Sequence, residues 1–289
     1  LALGKKSYEN PGSLNFFETF INLICTVIVR KKIKEAFGGR LKALVTGGAP
    51  LNYDVGIFFT ALGIKILNGY GQTEASPVIS ANRPNNNRIH TVGPPLRGVQ
   101  VKCADDKEIL VKGELVMKGY WNDPDSTIAA IDEEGWLHTG DIGHIDSEGS
   151  LVITDRKKDI IVNSGGDNIS PQKIEGILCL SEEIEQAAVY GDKKPYLTAV
   201  IVPNPEWSKN WANNINADIN SLIENKDYIS ELTKAINKIN KELSTLERVK
   251  KFVIAPEAFT TINGQLTPTF KIRRHAIIRN YSNKLDALY

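Results

Sequence analysis

Residues 135–175 read GWLHTGDIGHIDSEGSLVITDRKKDIIVNSGGDNISPQKIE, and this stretch decides the organisation of the chain. Residues 150–154 have the alternating apolar pattern of a β-strand, and the charged run 155–159 separates them from the apolar residues 160–162. A run of charge between apolar strands indicates an exposed connection between domains. We therefore expect one domain over residues 1–156 and a second over residues 157–289.

The same stretch contains a pair of side chains suited to a nucleotide. Asp141 lies on what the sequence predicts to be a glycine-flanked turn, where its carboxylate can accept hydrogen bonds from both hydroxyls of a ribose. Arg156, beyond the next predicted strand, can donate to the same sugar or to its phosphate. The pair indicates a nucleotide site.

Two glycine-rich segments precede this stretch. Residues 41–45 read as a buried strand that ends in TGGAP (46–50), residues 52–59 have helical spacing, and residues 64–67 read as a second strand that ends in NGYG (68–71). A strand, a helix and a strand at this spacing indicate a parallel α/β layer, whose ligands bind beyond the carboxyl ends of the strands. Both glycine turns should then open onto one cleft.

The segment NGYGQTE (68–74) has side chains suited to each part of ATP. Its glycines allow the backbone to approach a ligand closely, and the ring of Tyr70 can stack on a purine. Thr73 can donate to a phosphate oxygen, and Glu74 can hold Mg²⁺. Alone, the segment also fits a plain structural turn, but together with Asp141 and Arg156 it favours a nucleotide site.

The rest of the chain predicts two kinds of β-structure. Residues 99–103, 108–112 and 114–118 alternate as short strands of a small antiparallel sheet or barrel. Beyond the charged run, a capped helix begins at Ser170-Pro171, strands follow at 186–190, 196–202 and 251–254, and residues 227–246 form an amphipathic helix. The predicted fold class is α/β plus α+β.

These motifs, in this order, resemble the adenylate-forming (AMP-binding) enzyme superfamily, and most closely its long-chain fatty acyl-CoA synthetase (ligase) branch. The resemblance covers nearly all of this sequence but only the later half of a family member. It implies part of the α/β layer and a small β-barrel of the large adenylating domain, followed by a small, mobile C-terminal α+β domain. It also implies ATP-dependent activation of a fatty carboxylic acid to acyl-AMP and transfer to CoA, with ATP, Mg²⁺ and CoA as cofactors.

The resemblance assigns roles to residues that match the family's motifs. The adenine, α-phosphate and metal contacts correspond to Gly47, Gly48, Ala49, Asn68, Gly69, Tyr70, Gly71, Thr73 and Glu74. Asp141 is similar to the ribose-binding aspartate and Arg156 to the adenylate-contacting arginine. Lys158 stands at the hinge position, and Gly166 resembles the glycine beside which pantetheine passes during thioester formation.

A lysine near the end of the chain corresponds to the family's catalytic lysine. Lys271 follows a turn stiffened by Pro268, in a pattern that alone is typical of a surface lysine. The resemblance implies that Lys271 bridges the attacking carboxylate and the α-phosphate, and that a swivel at Lys158 removes it before thioester formation. Phe270 stands where many family members have glycine, a variant that resembles the long-chain ligases.

Composition excludes several other classes. Basic and acidic residues nearly balance, 35 against 34, so no strong field would recruit nucleic acid. The three cysteines and four histidines are scattered, which argues against a zinc site or a disulfide framework and favours the cytosol. Residues 16–29 are apolar but too short for a membrane span and read as a packed helix. The basic residues that follow either complement the helix dipole or contact anionic lipid at the cytosolic membrane face.

One motif that the resemblance would include does not occur in this sequence: the loop ending in Pro-Lys-Gly that grips the β- and γ-phosphates. We therefore expect residues 1–289 alone to bind nucleotide weakly and not to turn over. The parent activity has two alternatives at this stage. The acyl group is transferred to acyl carrier protein or comes from another carboxylic acid, or the chain is a non-catalytic fragment that only binds adenylate or a partner.

Overall fold

The computed structural model describes the backbone of residues 1–289 and every side chain except that of Asn220. The chain forms two compact units, Leu1–Lys157 and Lys158–Tyr289. Each unit has a hydrophobic core of its own.

The first unit contains short helices and strands in a mixed order. Its helices are α1 (Ala2–Glu9), α2 (Phe16–Cys25), α3 (Lys31–Ala36), α4 (Tyr53–Ala61) and α5 (Pro124–Ala130), with a π-helical turn at Thr26–Arg30 and a 3₁₀ turn at Thr73–Ala75. Its strands are β1 (Leu44–Thr46), β2 (Ile66–Gly71), β3 (Val78–Ala81), β4 (Gln100–Cys103), β5 (Glu108–Lys112), β6 (Leu137–Ile145) and β7 (Leu151–Arg156).

The first sheet of this unit has the order β1-β2-β3 and contains the predicted parallel pair. Helix α4 connects β1 to β2 and is capped by Asn52, whose side chain accepts hydrogen bonds from the first turn of the helix. The prediction that β2 ends before a glycine turn at residues 68–71 is wrong. Gly69 and Tyr70 pair with Ala81 and Ser80 of β3, so the strand continues through both glycines.

The second sheet is antiparallel, in the order β4-β5-β6-β7. Two predictions about it are wrong. Residues 114–118 form a turn, because the amide of Met117 donates to the carbonyl of Glu74 at 2.8 Å instead of to a strand neighbour. Asp141 lies within β6 and not on a turn, since β6 pairs with β5 on one side and with β7 on the other.

One core joins the two sheets of the first unit. Its fully buried strand residues come from β3, β5, β6 and β7, namely Ile79, Ile109, Val111, Leu137 and Leu151. Burial of side chains of this size contributes about 1.5 to 3 kcal/mol each, so this core holds β2 and β3 firmly beside β6 and β7.

Helix α2 forms as predicted, but it is not packed in this structure. Asn15 and Glu18 form a reciprocal cap at its start, which explains where the helix begins. Its apolar side chains are exposed: Phe16 by 84%, Phe17 by 76% and Phe20 by 57%. Over the described residues, the structure contains no helix with the length and apolar character needed to cross a bilayer.

The second unit is an α+β arrangement, as predicted. Its strands are β8 (Ile161–Val162), β9 (Asn168–Ile169), β10 (Ile184–Tyr190), β11 (Leu197–Pro203) and β12 (Val249–Ile254). Its helices are α6 (Pro171–Leu178), α7 (Pro205–Ile215), α8 (Lys226–Ile239) and α9 (Arg274–Asp286), with a 3₁₀ turn at Ile219–Glu224.

The central sheet of this unit has the order β10-β11-β12 and is buried on both faces. Apolar residues of α6 and α8 cover one face, and those of α9 cover the other. Helix α8 is shorter than the predicted 227–246. The side chain of Asn240 exchanges two hydrogen bonds with the backbone of Val249, at 2.8 and 3.0 Å, and so turns the chain into the approach to β12.

Candidate functional site

A buried carboxylate at the centre of the first unit is contacted from two sides. The hydroxyl of Tyr70 donates to Oδ2 of Asp141 at 2.7 Å. Nε of Arg156 donates to Oδ1 of the same carboxylate at 3.1 Å. The three residues that the sequence proposed for a nucleotide site therefore lie together, on β2, β6 and β7.

Strand pairing explains this convergence. Asp141 and Arg156 are directly opposite each other in the β6–β7 pair, where opposite charges attract. Tyr70 reaches them from β2, which the shared core holds beside β6. Burial and the neighbouring Asp141 raise the pKa of Tyr70 far above its ordinary value. Tyr70 is therefore a phenol at every physiological pH, and its hydroxyl is the donor in this contact.

The two glycine segments are neighbours, as the predicted cleft requires. Thr46 of β1 is in register with Asn68 of β2, so the TGGAP segment begins beside the NGYG segment. A Cβ on Gly47 would lie 3.0 Å from the carbonyl oxygen of Gly69, which measures how close the two backbones are. Gly47, Gly48 and Ala49 are exposed.

Glu74 lies just beyond the end of β2, on the 3₁₀ turn Thr73–Ala75. Its Oε1 accepts a hydrogen bond from the hydroxyl of Tyr120 at 2.9 Å, and its carbonyl accepts one from Met117. Thr73 is exposed on the same turn. Tyr120 was not among the residues singled out from the sequence, because the contact joins positions 46 residues apart and no local pattern signals it.

Unused polar groups on β2, just after it and on β6 fit a nucleotide. Asn68 is 6% exposed, and within the described structure its Oδ1 has no hydrogen-bond partner; the same holds for Nε2 of Gln72. Such orphaned groups in a folded protein require an explanation, and a polar ligand supplies one. The Asp141 carboxylate offers about four lone-pair positions, of which Tyr70 and Arg156 use two. Acceptors for ribose hydroxyls therefore remain.

Comparison with known proteins accounts for this arrangement. The family profile described as AMP-binding enzyme matches residues 9–121, and that described as AMP-binding enzyme C-terminal domain matches residues 158–289. The chain belongs to the AMP-binding enzyme family. The resemblance seen in the sequence is thereby confirmed.

Relatives within this family are named as ligases. The long-chain-fatty-acid–CoA ligase FadD15 of Mycobacterium bovis is 38% identical over 266 residues, which cover 91% of this chain and 44% of that protein. The long-chain-fatty-acid–CoA ligase 1 of Cavia porcellus is 35% identical over 285 residues, covering 93% of this chain and 41% of that protein. The chain thus spans less than half the length of these curated relatives.

Solved structures of the family have the same fold. The adenylation domain of the carboxylate reductase from Mycobacterium chelonae superposes with a TM-score of 0.74 at 25% identity, covering 100% of this chain and 44% of that one. The predicted α/β plus α+β fold class is confirmed.

Two of the remaining predicted site residues of this AMP-binding enzyme chain lie near the start of the second unit. Lys158 is its first residue and is exposed. Gly166 is at the exposed tip of the β8–β9 hairpin and has a φ of 85°. The hairpin loop is closed by Asn163, whose Oδ1 accepts from the amides of Gly165 and Asp167, both at 2.9 Å.

Lys271 lies in a tight turn before α9. The hydroxyl oxygen of Thr267 accepts from the amide of Lys271 at 3.0 Å, and the carbonyl of Lys271 accepts from the amide of Thr267 at 2.8 Å. Phe270 adopts a φ of 60°, a left-handed conformation that costs a bulky residue about 1 kcal/mol or more. The turn presents both side chains to solvent, Phe270 by 77%.

A metal would have few protein ligands here. Among the described residues, no group of three or more His, Cys, Asp or Glu side chains is arranged to hold an ion. Glu74 is the carboxylate at the position expected for a metal ligand. One carboxylate together with substrate phosphates is a usual way for proteins to hold Mg²⁺, so Glu74 fits that role.

Proposed function

We propose that the protein containing this chain is an ATP-dependent long-chain fatty acid:CoA ligase that forms acyl-CoA, AMP and pyrophosphate. The observation that carries the proposal is the Asp141 carboxylate, held by Tyr70 and Arg156 beside the glycine segments. Membership of the AMP-binding enzyme family and similarity to relatives named long-chain-fatty-acid–CoA ligases support it.

In this proposal the first unit binds the adenylate. Asp141 accepts hydrogen bonds from the ribose hydroxyls, and Arg156 donates to the sugar or the phosphate. Tyr70 and the segment Gly47–Gly48–Ala49 lie against adenine, and Asn68 offers its orphaned oxygen there. Gly69 and Gly71 border the site through their backbone, because the chain around β3 occupies the side on which a Cβ would lie: it would be 3.3 Å from the carbonyl oxygen of Ser80 at Gly69 and 1.7 Å from that of Pro77 at Gly71.

The phosphates would lie near the 3₁₀ turn. Thr73 is exposed there and can donate its hydroxyl to an α-phosphate oxygen. Glu74 would hold Mg²⁺ together with phosphate oxygens, and a bound Mg²⁺ supplies charge neutralisation as pyrophosphate leaves. Tyr120 fixes the orientation of the Glu74 carboxylate through its hydrogen bond.

The second unit takes part in both half-reactions through different residues, Lys271 in the first and Gly166 in the second. A fatty carboxylate is a poor electrophile, so the carboxylate oxygen attacks the α-phosphorus, pyrophosphate leaves, and the acyl group becomes an adenylate. Lys271 stabilises the negative charge of this step. The CoA thiol then attacks the acyl carbon and AMP leaves, with pantetheine passing beside Gly166.

The two steps require different arrangements of one chain. We assign residues 1–156 to the C-terminal part of the large adenylating domain, with the antiparallel sheet over residues 91–156, and residues 157–289 to the small domain. The hinge is near Lys158. The family profiles end at residue 121 and resume at residue 158, which agrees with a connection there. Rotation about a few exposed backbone bonds is the usual way for a hinge to act.

The decisive experiment measures the two half-reactions on the protein encoded by the complete reading frame. Exchange of labelled pyrophosphate into ATP should depend on a long-chain fatty acid, and release of AMP should depend on CoA. Asp141→Asn should slow both. Exchange that depends on a different carboxylic acid, or acyl transfer to carrier protein in preference to CoA, would replace the proposed substrate or acceptor.

Peripheral membrane contact is a finer part of the proposal. The exposed apolar side of α2 precedes the exposed Lys31, Lys32 and Lys34, a combination that suits the surface of an anionic bilayer. The complete protein should sediment with phosphatidylserine vesicles more than with phosphatidylcholine vesicles, and replacing the three lysines by glutamine should remove the difference. Equal sedimentation with both vesicles would mean that another part of the protein covers this helix.

A further inference from the structure

Glu108 has a buried carboxylate to which the proposed reaction gives no role. The residue opens β5 and is 6% exposed. Its Oε1 accepts from the amide of Gly140 at 2.9 Å, and its Oε2 accepts from Nζ of Lys157 at 3.0 Å. Nδ1 of His138 lies 3.3 Å from the same Oε2. These contacts fix the position of the carboxylate, and the carboxylate in turn fixes the positions of its three partners.

The partners of Glu108 adjoin the ribose site and the hinge. Gly140 directly precedes Asp141, and Lys157 directly precedes Lys158. The amide of Lys157 donates to the carbonyl of Gly140 at 2.8 Å, which closes a ring of contacts between these two residues and Glu108. The carboxylate thus fixes the backbone beside Asp141 and the backbone beside the hinge at once.

Other contacts of this part of β6 also fix the backbone beside Asp141. The hydroxyl of Thr139 donates to the carbonyl of Ile109 at 2.7 Å and accepts from the amide of Asp141 at 3.1 Å. Gly140 has a φ of 68°, which breaks the regular strand and turns Asp141 towards Tyr70 and Arg156. The regular pairing is interrupted at such a residue, and the side chain of Glu108 supplies a hydrogen-bond acceptor for its amide.

We propose that Glu108 is a positioning residue: acting through Gly140 and Lys157, it holds the ribose-binding carboxylate in place and anchors the large-domain side of the hinge. Rotation is thereby confined to the bonds at and after Lys158. The proposal rests on the function proposed above, because it deepens the roles given there to Asp141 and Lys158.

The charge of Glu108 matters more than that of its exposed neighbour. Asp106 also contacts Lys157, at 2.6 Å, but its side chain is 49% exposed against 7% for Glu108. Exposed ion pairs contribute little, whereas a buried charge that loses its partner is costly. Burial tends to raise the pKa of Glu108, but the hydrogen bonds from Lys157, Gly140 and His138 outweigh it and hold that pKa below its ordinary value.

The test compares three variants of the complete protein: Glu108→Gln, Lys157→Met and the control Asp106→Asn. AMP affinity is measured by titration calorimetry, and the KM for ATP and the rates of the two half-reactions are measured separately. We expect Glu108→Gln and Lys157→Met each to weaken AMP binding and raise the KM for ATP by about threefold to tenfold, the scale of one typical net hydrogen bond. Asp106→Asn should leave both unchanged.

A double-variant cycle and a conservative replacement separate positioning from stability. Glu108→Gln combined with Lys157→Met should weaken AMP binding no further than either change alone, because both break the same link. Lys157→Arg, which keeps a positive charge, should bind AMP as the unaltered protein does and not as Lys157→Met does. If Glu108→Gln does not fold, the half-exposed Lys157 supplies the same test through Lys157→Met and Lys157→Arg.

Several results would overturn the proposal: unchanged AMP affinity in Glu108→Gln and Lys157→Met, additive effects in the double variant, or an equal loss in Asp106→Asn. These outcomes differ from failure of the proposed function. In that case the unaltered protein would show no fatty-acid-dependent pyrophosphate exchange, whereas the effect of the substitutions on AMP binding would stand on its own.

Discussion

Tyr70 donates its phenolic proton to Asp141 at 2.7 Å, across 71 residues of sequence. The contact joins the glycine-rich strand of the first sheet, β2, to an inner strand of the second, β6. It also gives Tyr70 a role that its position in a Gly-Tyr-Gly segment does not suggest. Besides offering a ring to a purine, Tyr70 orients the carboxylate that would bind the ribose.

Tyr70→Phe should weaken AMP binding by about tenfold while leaving the ring in place. The substitution removes one donor from a buried, charged acceptor, an interaction on the order of 1.5 kcal/mol or more. Titration calorimetry with AMP measures the change. Tyr228→Phe is a matched control, since that buried hydroxyl pairs with Ser208 at 2.7 Å in the other unit. Both variants should lose a similar amount of thermal stability, and an equal loss of AMP affinity in both would contradict the role given to Tyr70.

Asp141→Asn should weaken AMP binding more strongly, by about a hundredfold. The amide keeps the size of the side chain but removes the negative charge that faces Arg156, and it replaces one acceptor oxygen by a donor that meets the Tyr70 hydroxyl. Asp146→Asn provides the comparison, because Asp146 pairs with Arg88 in the same unit. If the Asp146 variant binds AMP as weakly as the Asp141 variant, the loss reflects general destabilisation and the assignment of Asp141 fails.

The sequence predicted which residues form the site more accurately than it predicted the secondary structure of those residues. Local patterns predicted strand β5 with its observed bounds, the existence of helix α4, and helix α6 together with its N-cap. The Gly-Tyr-Gly segment reads as a turn because glycine favours turns, yet pairing with β3 makes it strand. Backbone hydrogen bonds to a distant partner override local propensity, and no local pattern announces that partner.

The same limitation applies to the residues that support the site. The pairing of Asp141 with Arg156 follows from two motifs that the sequence displays. Tyr120 and Glu108 were not singled out, because their contacts with Glu74 and Lys157 join positions 46 and 49 residues apart. Glu108 offered one local signal, an acidic residue at the start of an apolar strand. A buried acid at such a position needs partners, and the sequence alone does not name them.

Gly71→Ala should destabilise the first unit, and Gly176→Ala should stabilise the second. A Cβ on Gly71 would lie 1.7 Å from the carbonyl oxygen of Pro77, so the end of β2 must shift. A Cβ on Gly176, within α6, meets nothing within 4 Å, and alanine in a helix is favoured over glycine by about 0.5 to 1 kcal/mol. Thermal unfolding measures both changes, and AMP binding should fall only in the Gly71 variant. An unfolding temperature of Gly71→Ala equal to that of the unaltered protein would contradict the close approach of Gly71 and Pro77.

Acid should remove the stabilisation that Glu108 provides. Because its partners hold its pKa below the ordinary value in the folded protein, its contribution is fully present above the unfolded-state pKa of about 4.3 and is lost as pH falls through the folded-state pKa. The free energy of unfolding of Glu108→Gln should therefore be lower than that of the unaltered protein at neutral pH, and the two should converge in acid. Urea titrations at several pH values test this, and a gap that widens towards low pH would contradict it.

Lys271→Ala should slow adenylation by about two to three orders of magnitude and spare thioester formation from premade acyl-AMP. The reason is the charge that develops as pyrophosphate leaves, since loss of one positioned electrostatic stabiliser costs roughly this much. The tight turn with Thr267 holds the backbone of Lys271, so the side chain can be removed without loss of the turn's hydrogen bonds. Pyrophosphate exchange measures the first step, and CoA-dependent release of AMP measures the second. Lys234→Ala is the control, because Lys234 is an exposed lysine on α8 paired with Glu231. Equal loss of both half-reactions in the Lys271 variant would show that this lysine supports the fold or the binding of both substrates, and not the adenylation step.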